Sequence, residues 1–145
     1  NANNETQSNQ TLTVNIDITS PSAFNLTSPA NNQWFNTNTK TFQWTASADT
    51  SSGLAKYQLY VGGVLKEDNI PPTQTAITTV LLEGSHSWFV KAIDNANNER
   101  QSNQTWTVNI DITSPSAFDL TSPVNNQWFI INTITFQWTA SADTG

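Results

Sequence analysis

With 145 residues, no cysteine, and eleven acidic against five basic side chains, the chain carries a formal charge of −6. That balance rules out disulfide staples, thiol chemistry and the basic patch that would hold nucleic acid or an anionic membrane. Stability has to come from burial, for which six Trp, seven Phe and two Tyr supply the surface.

The polar surface is built from Thr, Ser, Asn and Gln more than from charge, a composition common in secreted surface proteins. No apolar run approaches the roughly 20 residues of a membrane helix, and no signal-peptide pattern is present at the N-terminus. The sequence starts inside a repeating unit, so a signal or anchor is expected outside it.

The repeat sets the register. Asn1 pairs with Asn95 and Trp44 with Trp138, each 94 apart, and 43 of the 50 positions aligned in this way are identical. A period of that length suits a whole sandwich domain of roughly 100 residues. Three segments follow: residues 1–17, the last loop and strand of one unit; 18–111, a complete unit; and 112–145, the first two strands of the next.

In chain order, residues 1–9 read as a loop and 10–17 as a strand with Leu12, Val14 and Ile16 on one face. A short edge strand is expected around Phe24 and Leu26, between Pro21 and Pro29. Residues 39–46 alternate, which turns Phe42, Trp44 and Ala46 one way and Thr41, Gln43 and Thr45 the other. A polar loop at 47–53 precedes a strand whose inward face is Tyr57, Leu59 and Val61. Gly62-Gly63 predicts a two-residue hairpin turn, since both central positions of such a turn take positive φ. A strand at 64–70 ends at Pro71-Pro72, and the β-branched run 75–82 reads as another.

A turn at Glu83-Gly84-Ser85 leads to an inner face of Trp88, Val90 and Ala92. Residues 94–103 read as a loop, and the last strand turns Trp106, Val108 and Ile110 inward. About seven strands and no helical periodicity predict an all-β, seven-stranded antiparallel sandwich. The following copy is more apolar, with Ile130, Ile131 and Ile134 in place of Asn36, Thr37 and Lys40.

The stretches FQWTASAD, DTSSGLAKYQLYVGG and WFVKAIDNANNE resemble the fibronectin type III-like and bacterial Ig-like tandem repeats of extracellular surface proteins. AIDNANNE is similar to the A-x-D-x-A-G-N loop of those repeats, with Asn97 where glycine is usual; Asn accepts left-handed backbone better than most residues. The linker VNIDITSP is similar to their V-D-T-T-A-P joint. The resemblance implies spacing, adhesion or accessory roles and brings no catalytic residues with it.

The catalytic search points the same way. His86 stands beside Ser85 and Ser87 on a strand, where sequence neighbours face opposite sides, so no Ser-His pairing is expected and the chain reads as no enzyme.

The carboxylates carry more information. In this topology the linker, the loop after the second strand and the loop before the last strand fall at one end, so Asp17, Asp49 and Asp94 converge there. Three carboxylates without a basic neighbour in sequence repel one another unless a cation neutralises them. Calcium accepts six to eight oxygens at loose geometry, which these residues with Asn95 and Asn97 can supply. The plain alternative is that the aspartates form Asx turns and solvate the linker. Asp111 and Asp143 repeat two of the positions, and Glu83 is placed to reach that second joint.

N-x-S/T sequons at Asn4, Asn9, Asn25 and Asn103 are candidate glycan acceptors in a secreted protein. Trp34 and Phe35, repeated as Trp128 and Phe129, can stack on sugars or pack between units. The expected role is a structural repeat of an extracellular or cell-surface stalk, adhesin or fibre. Its partners are neighbouring repeats or further copies of the chain, its joints hold calcium, and it binds neither nucleic acid nor membrane. The alternative is a glycan-binding or accessory module of a secreted hydrolase.

Overall fold

Alternation decides which surfaces meet, and it is cleanest in the third strand. The computed structural model describes residues 3–144, in which every regular element is a strand. The elements are β1 (Leu26–Ser28), β2 (Gln33–Phe35), β3 (Thr39–Trp44), β4 (Leu54–Val61), β5 (Val64–Ile70) and β6 (Ala76–Val80). They continue with β7 (Gly84–Asp94), β8 (Glu99–Gln101), β9 (Trp106–Ile110), β10 (Leu120–Ser122) and β11 (Gln137–Trp138). One sheet has the order β1-β3-β6, and the facing sheet has the order β2-β9-β7-β4-β5 with β8 added to β7.

Two short strands go beyond the expected set. β2 pairs in parallel with β9, Trp34 opposite Asn109, so the chain changes sheet after β1. β8 pairs with the end of β7, Ile93 opposite Glu99, inside what the sequence marks as loop. Both are three residues long, too short for a period-2 pattern to show.

The core lies between the sheets. Phe42 and Trp44 of β3, with Phe24 and Leu26, meet Tyr57, Leu59, Trp88, Val90, Val108 and Ile110 from the other side. The rings meet edge to face, Phe42 against Trp88 at 4.8 Å and Trp44 against Tyr57 at 5.3 Å between centroids, the arrangement aromatic quadrupoles favour. Gly62 and Gly63 have φ of 61° and 77°, as the hairpin between β4 and β5 requires.

Two inward assignments change. Ala46 is exposed and Ser47 is buried, because the alternation slips where the Ser47 amide donates to the Tyr57 hydroxyl at 2.7 Å. Trp106 is half-buried, edge-on to Trp88 at 6.0 Å.

The flanking segments behave differently from the module. Leu12, Val14 and Ile16, expected on a strand face, lie outside any strand and are 81% exposed each. β10 and β11 pair as β1 and β3 do, Leu120 opposite Trp138 as Leu26 is opposite Trp44, yet Leu120 and Trp138 are exposed.

Candidate metal centre

The loop after β3 is held from both sides. Ser22 and Ala48 exchange hydrogen bonds (Ser22 N to Ala48 O 2.8 Å, Ala48 N to Ser22 Oγ 2.9 Å), and the Ser47 hydroxyl donates to Ser22 O at 2.6 Å. This clamp lays the linker along the loop. Asp49 then turns the loop on itself, its Oδ1 accepting the amides of Ser51 (3.0 Å) and Gly53 (2.9 Å).

Asp94, at the end of β7 and only 1% exposed, does the same for the next loop. Its Oδ1 accepts the amides of Ala96 and Asn98, both at 2.8 Å. Asn97 takes φ of 68°, the left-handed conformation that the glycine of related loops would adopt freely, and its amide donates to Asp94 O at 3.2 Å.

Asp17 comes from the linker. Its Oδ1 accepts the Thr19 amide and its Oδ2 the Ser52 amide, both at 2.9 Å. Contact with Ser52, then the Thr19 amide, holds this carboxyl below its usual range. The amide contacts have true hydrogen-bond geometry, whereas the Ser52 hydroxyl is buried and has no hydrogen-bond partner.

Asp17, Asp49 and Asp94 each place a carboxylate oxygen within 4.8 Å of the others. The ion pairs among the described residues, Lys56–Asp68 and Lys91–Glu99, lie elsewhere. The same aspartates therefore form Asx turns and meet in one place; the two readings are compatible.

Two side chains complete the corner: Asn95, which the sequence offers as a ligand, and Asn98, which it does not single out. Asn98 Nδ2 donates to Asp17 O (3.1 Å) and to Asp94 Oδ2 (2.9 Å), tying linker to loop. Asn95 Nδ2 donates to the carbonyls of Ser52 (2.8 Å) and Gly53 (3.0 Å). The signal for Asn98 was its place in NANNE, which occurs twice; Asn97, expected as an oxygen ligand, has an exposed side chain and meets Asp94 through its backbone amide.

The second joint repeats the linker part. Asp111 Oδ1 accepts the Thr113 amide at 3.1 Å, and the Thr113 hydroxyl donates to Glu83 at 2.7 Å, which brings the end of the module to the next linker. Ser116, Ser141 and Ala142 rebuild the serine clamp beside Asp143. Asp111, Asp143 and Glu83 do not join a group of three carboxylates among the described residues.

Residues 23–90 match the family model described as bacterial Ig domain. The match lies within the sandwich, whose all-β fold is Ig-like. No curated protein matches the chain. Among solved structures, the fibronectin(III)-like modules of Clostridium thermocellum CbhA are similar over 64% of this chain and 46% of that one, with 23% identity and a TM-score of 0.47. The chain thus spans under half of that structure's length. Ig-like domains are generally structural or accessory modules without catalytic activity.

The remaining candidates lie on the surface of the module or of the segment before it. His86 Nε2 donates to Leu82 O at 2.8 Å, and neither Ser85 nor Ser87 is its partner. Asn4, Asn9, Asn25 and Asn103 are exposed, and Asn103 Nδ2 donates to Asn25 Oδ1 at 2.9 Å, so two sequons meet beside β1. Trp34 is 63% exposed on β2 and, with Phe35, lies near Asp111 at the far pole.

Proposed function

We propose that this chain is a non-catalytic structural segment of a long extracellular or cell-surface protein, a stalk, adhesin or fibre. In it, Ig-like units of the kind at 18–111 follow one another and calcium stiffens the joints. The observation that carries this reading is the meeting of three carboxylates, one from the linker and two from module loops, within 4.8 Å.

The donor set fits a hard cation. All the gathered atoms are oxygens, no basic side chain forms an ion pair with them, and the Ser52 hydroxyl is buried without a partner. Asp17, Asp49 and Asp94 would hold the ion, which would cancel their mutual repulsion and fix the angle between linker and module. The exposed sequons at Asn4, Asn9, Asn25 and Asn103 suit an extracellular chain. The alternative, an accessory or glycan-binding module of a secreted hydrolase, draws on the exposed Trp34.

Thermal unfolding in chelator and in 10 mM calcium tests the proposal. With a dissociation constant of about 10⁻⁴ to 10⁻³ M, typical of extracellular modules, that concentration stabilises the folded state by about 1.4 to 2.7 kcal/mol. The melting temperature should rise accordingly, and Asp49→Asn, which keeps an acceptor for the turn amides, should remove most of the rise. An identical melt with and without calcium would end the calcium part of the proposal. A full reading frame with only one or two such units beside a hydrolase domain would favour the alternative.

A further inference from the structure

Sheet edges expose unpaired amides and carbonyls, and proteins protect them with charge, proline, bulges or brevity. In this module β1, β2 and β8 are three residues long, and β5 carries Lys66, Glu67 and Asp68 and two register shifts. β6 has none of these devices. From Thr73 to Leu82 there is neither a charge nor a proline.

The ladder to β3 fixes which groups are free. Trp44 N donates to Thr75 O (3.1 Å) and Leu81 N to Asn38 O (2.9 Å), so odd-numbered residues of β6 bond to β3. Ala76, Thr78 and Val80 turn their backbone groups away from the sheet. Among the described residues only the Ala76 carbonyl finds a partner, Gln74 Nε2 at 2.6 Å. Beside this edge, Val80 and Leu82 are exposed and line a shallow cleft with Val61, His86 and the basic Lys66 of β5.

We propose that β6 is a lateral docking edge for β6 of a second copy of this chain, the two strands antiparallel and centred on Thr78. Ala76 then faces Val80, and about six backbone hydrogen bonds form across the two-fold axis. The occupant is argued from charge. In a chain of net charge −6, this edge is free of acidic groups, so self-pairing sets no like charges opposite one another. It also joins the two β1-β3-β6 sheets into one and covers Val80 and Leu82 on both copies. The contact is lateral and independent of the cation joint, so it is tested in chelator.

Because the chain has no cysteine, a single Thr78→Cys reports the contact directly. Residues directly opposite in such a ladder lie at Cα separations that a disulfide spans. Under mild oxidation in chelator, the Thr78→Cys chain should become a disulfide-linked dimer at least tenfold faster than an Arg100→Cys chain, whose thiol lies exposed on β8 of the facing sheet. Thr78→Lys should shift the concentration-dependent sedimentation of the unmodified chain towards monomer while leaving its melt cooperative. Equal cross-linking of the two cysteine variants would overturn the proposal, because association would then run through other surfaces. So would unaltered sedimentation of a folded Thr78→Lys chain.

Discussion

Replacing Tyr57 by Phe isolates the hydrogen bond that connects the core to the Asp49 loop. The ring is fully buried between Phe24 and Trp44, and both contacts survive the change because only an oxygen is removed. What disappears is the acceptor of the Ser47 amide at 2.7 Å; the return bond to Ser47 O is 3.4 Å and adds little. Ser47 is 7% exposed, so its amide is left without water in reach. An orphaned buried donor costs about 1 to 3 kcal/mol, and each kcal/mol lowers the melting temperature of a domain this size by roughly 4 to 8 °C. Urea unfolding followed by tryptophan fluorescence gives the free energy, with Tyr60→Phe as control. The Tyr60 hydroxyl donates to Gln58 Oε1 at 3.2 Å on the outer face, and its loss should cost under about 0.5 kcal/mol. Equal losses in the two variants would refute the assignment of Tyr57 as the loop's anchor.

Two further outcomes follow from local geometry and charge. Asn97→Gly should leave stability unchanged or raise it, since φ of 68° suits glycine, whereas Asn97→Val should cost about 1 to 3 kcal/mol in the same unfolding assay. Alkaline pH should destabilise the module. Burial raises the Tyr57 pKa above 10.0, so the unfolded chain releases that proton first and stability falls as pH rises past 10. Contact with Glu99 raises Lys91 above 10.5, and its contribution is full below that value and lost as pH climbs through the folded pKa. Urea midpoints between pH 9 and 11 check the slope, which Tyr57→Phe should flatten.

The long strands were legible because each has a buried face and an exposed one. β3, β4 and β7 announce themselves as FQW, YQLYV and WFVKA, and the structure buries the alternate residues expected. The convergence of Asp17, Asp49 and Asp94 followed from the topology. Asn98 and the orphaned Ser52 hydroxyl did not, because their roles depend on contacts 81 and 35 residues away, or on the lack of one, and no local pattern marks such residues.

Lys40 shows the opposite case. It is buried at 7%, its ammonium bonded to the Thr37 hydroxyl and 4.0 Å from the Phe35 ring centroid. The next copy replaces both Lys40 and Thr37 by isoleucine. That double change removes both ends of one polar contact together, and only the coordinates show the two positions to be partners.

The sequence TVNID occurs at 13–17 and 107–111 and is treated in two ways. Between β2 and β7, Val108 and Ile110 are buried; without such neighbours, Val14 and Ile16 stay 81% exposed. Strand formation here is decided by distant partners and not by the five residues themselves. The linker turns behave otherwise, since Asp17 to Thr19 and Asp111 to Thr113 make the same bond, and the serine clamp forms in both copies. The Asp turns are thus encoded locally, the serine clamp across a separation of 26 residues, and sandwich geometry through more distant partners. In the proposed cation site local and distant encoding meet, because Asp17 and Asp49 sit on locally formed turns while Asp94 arrives only with β7 in place. An ion bound there would recognise the folded module and bind its unfolded chain weakly, and for that reason its binding energy would appear as stability.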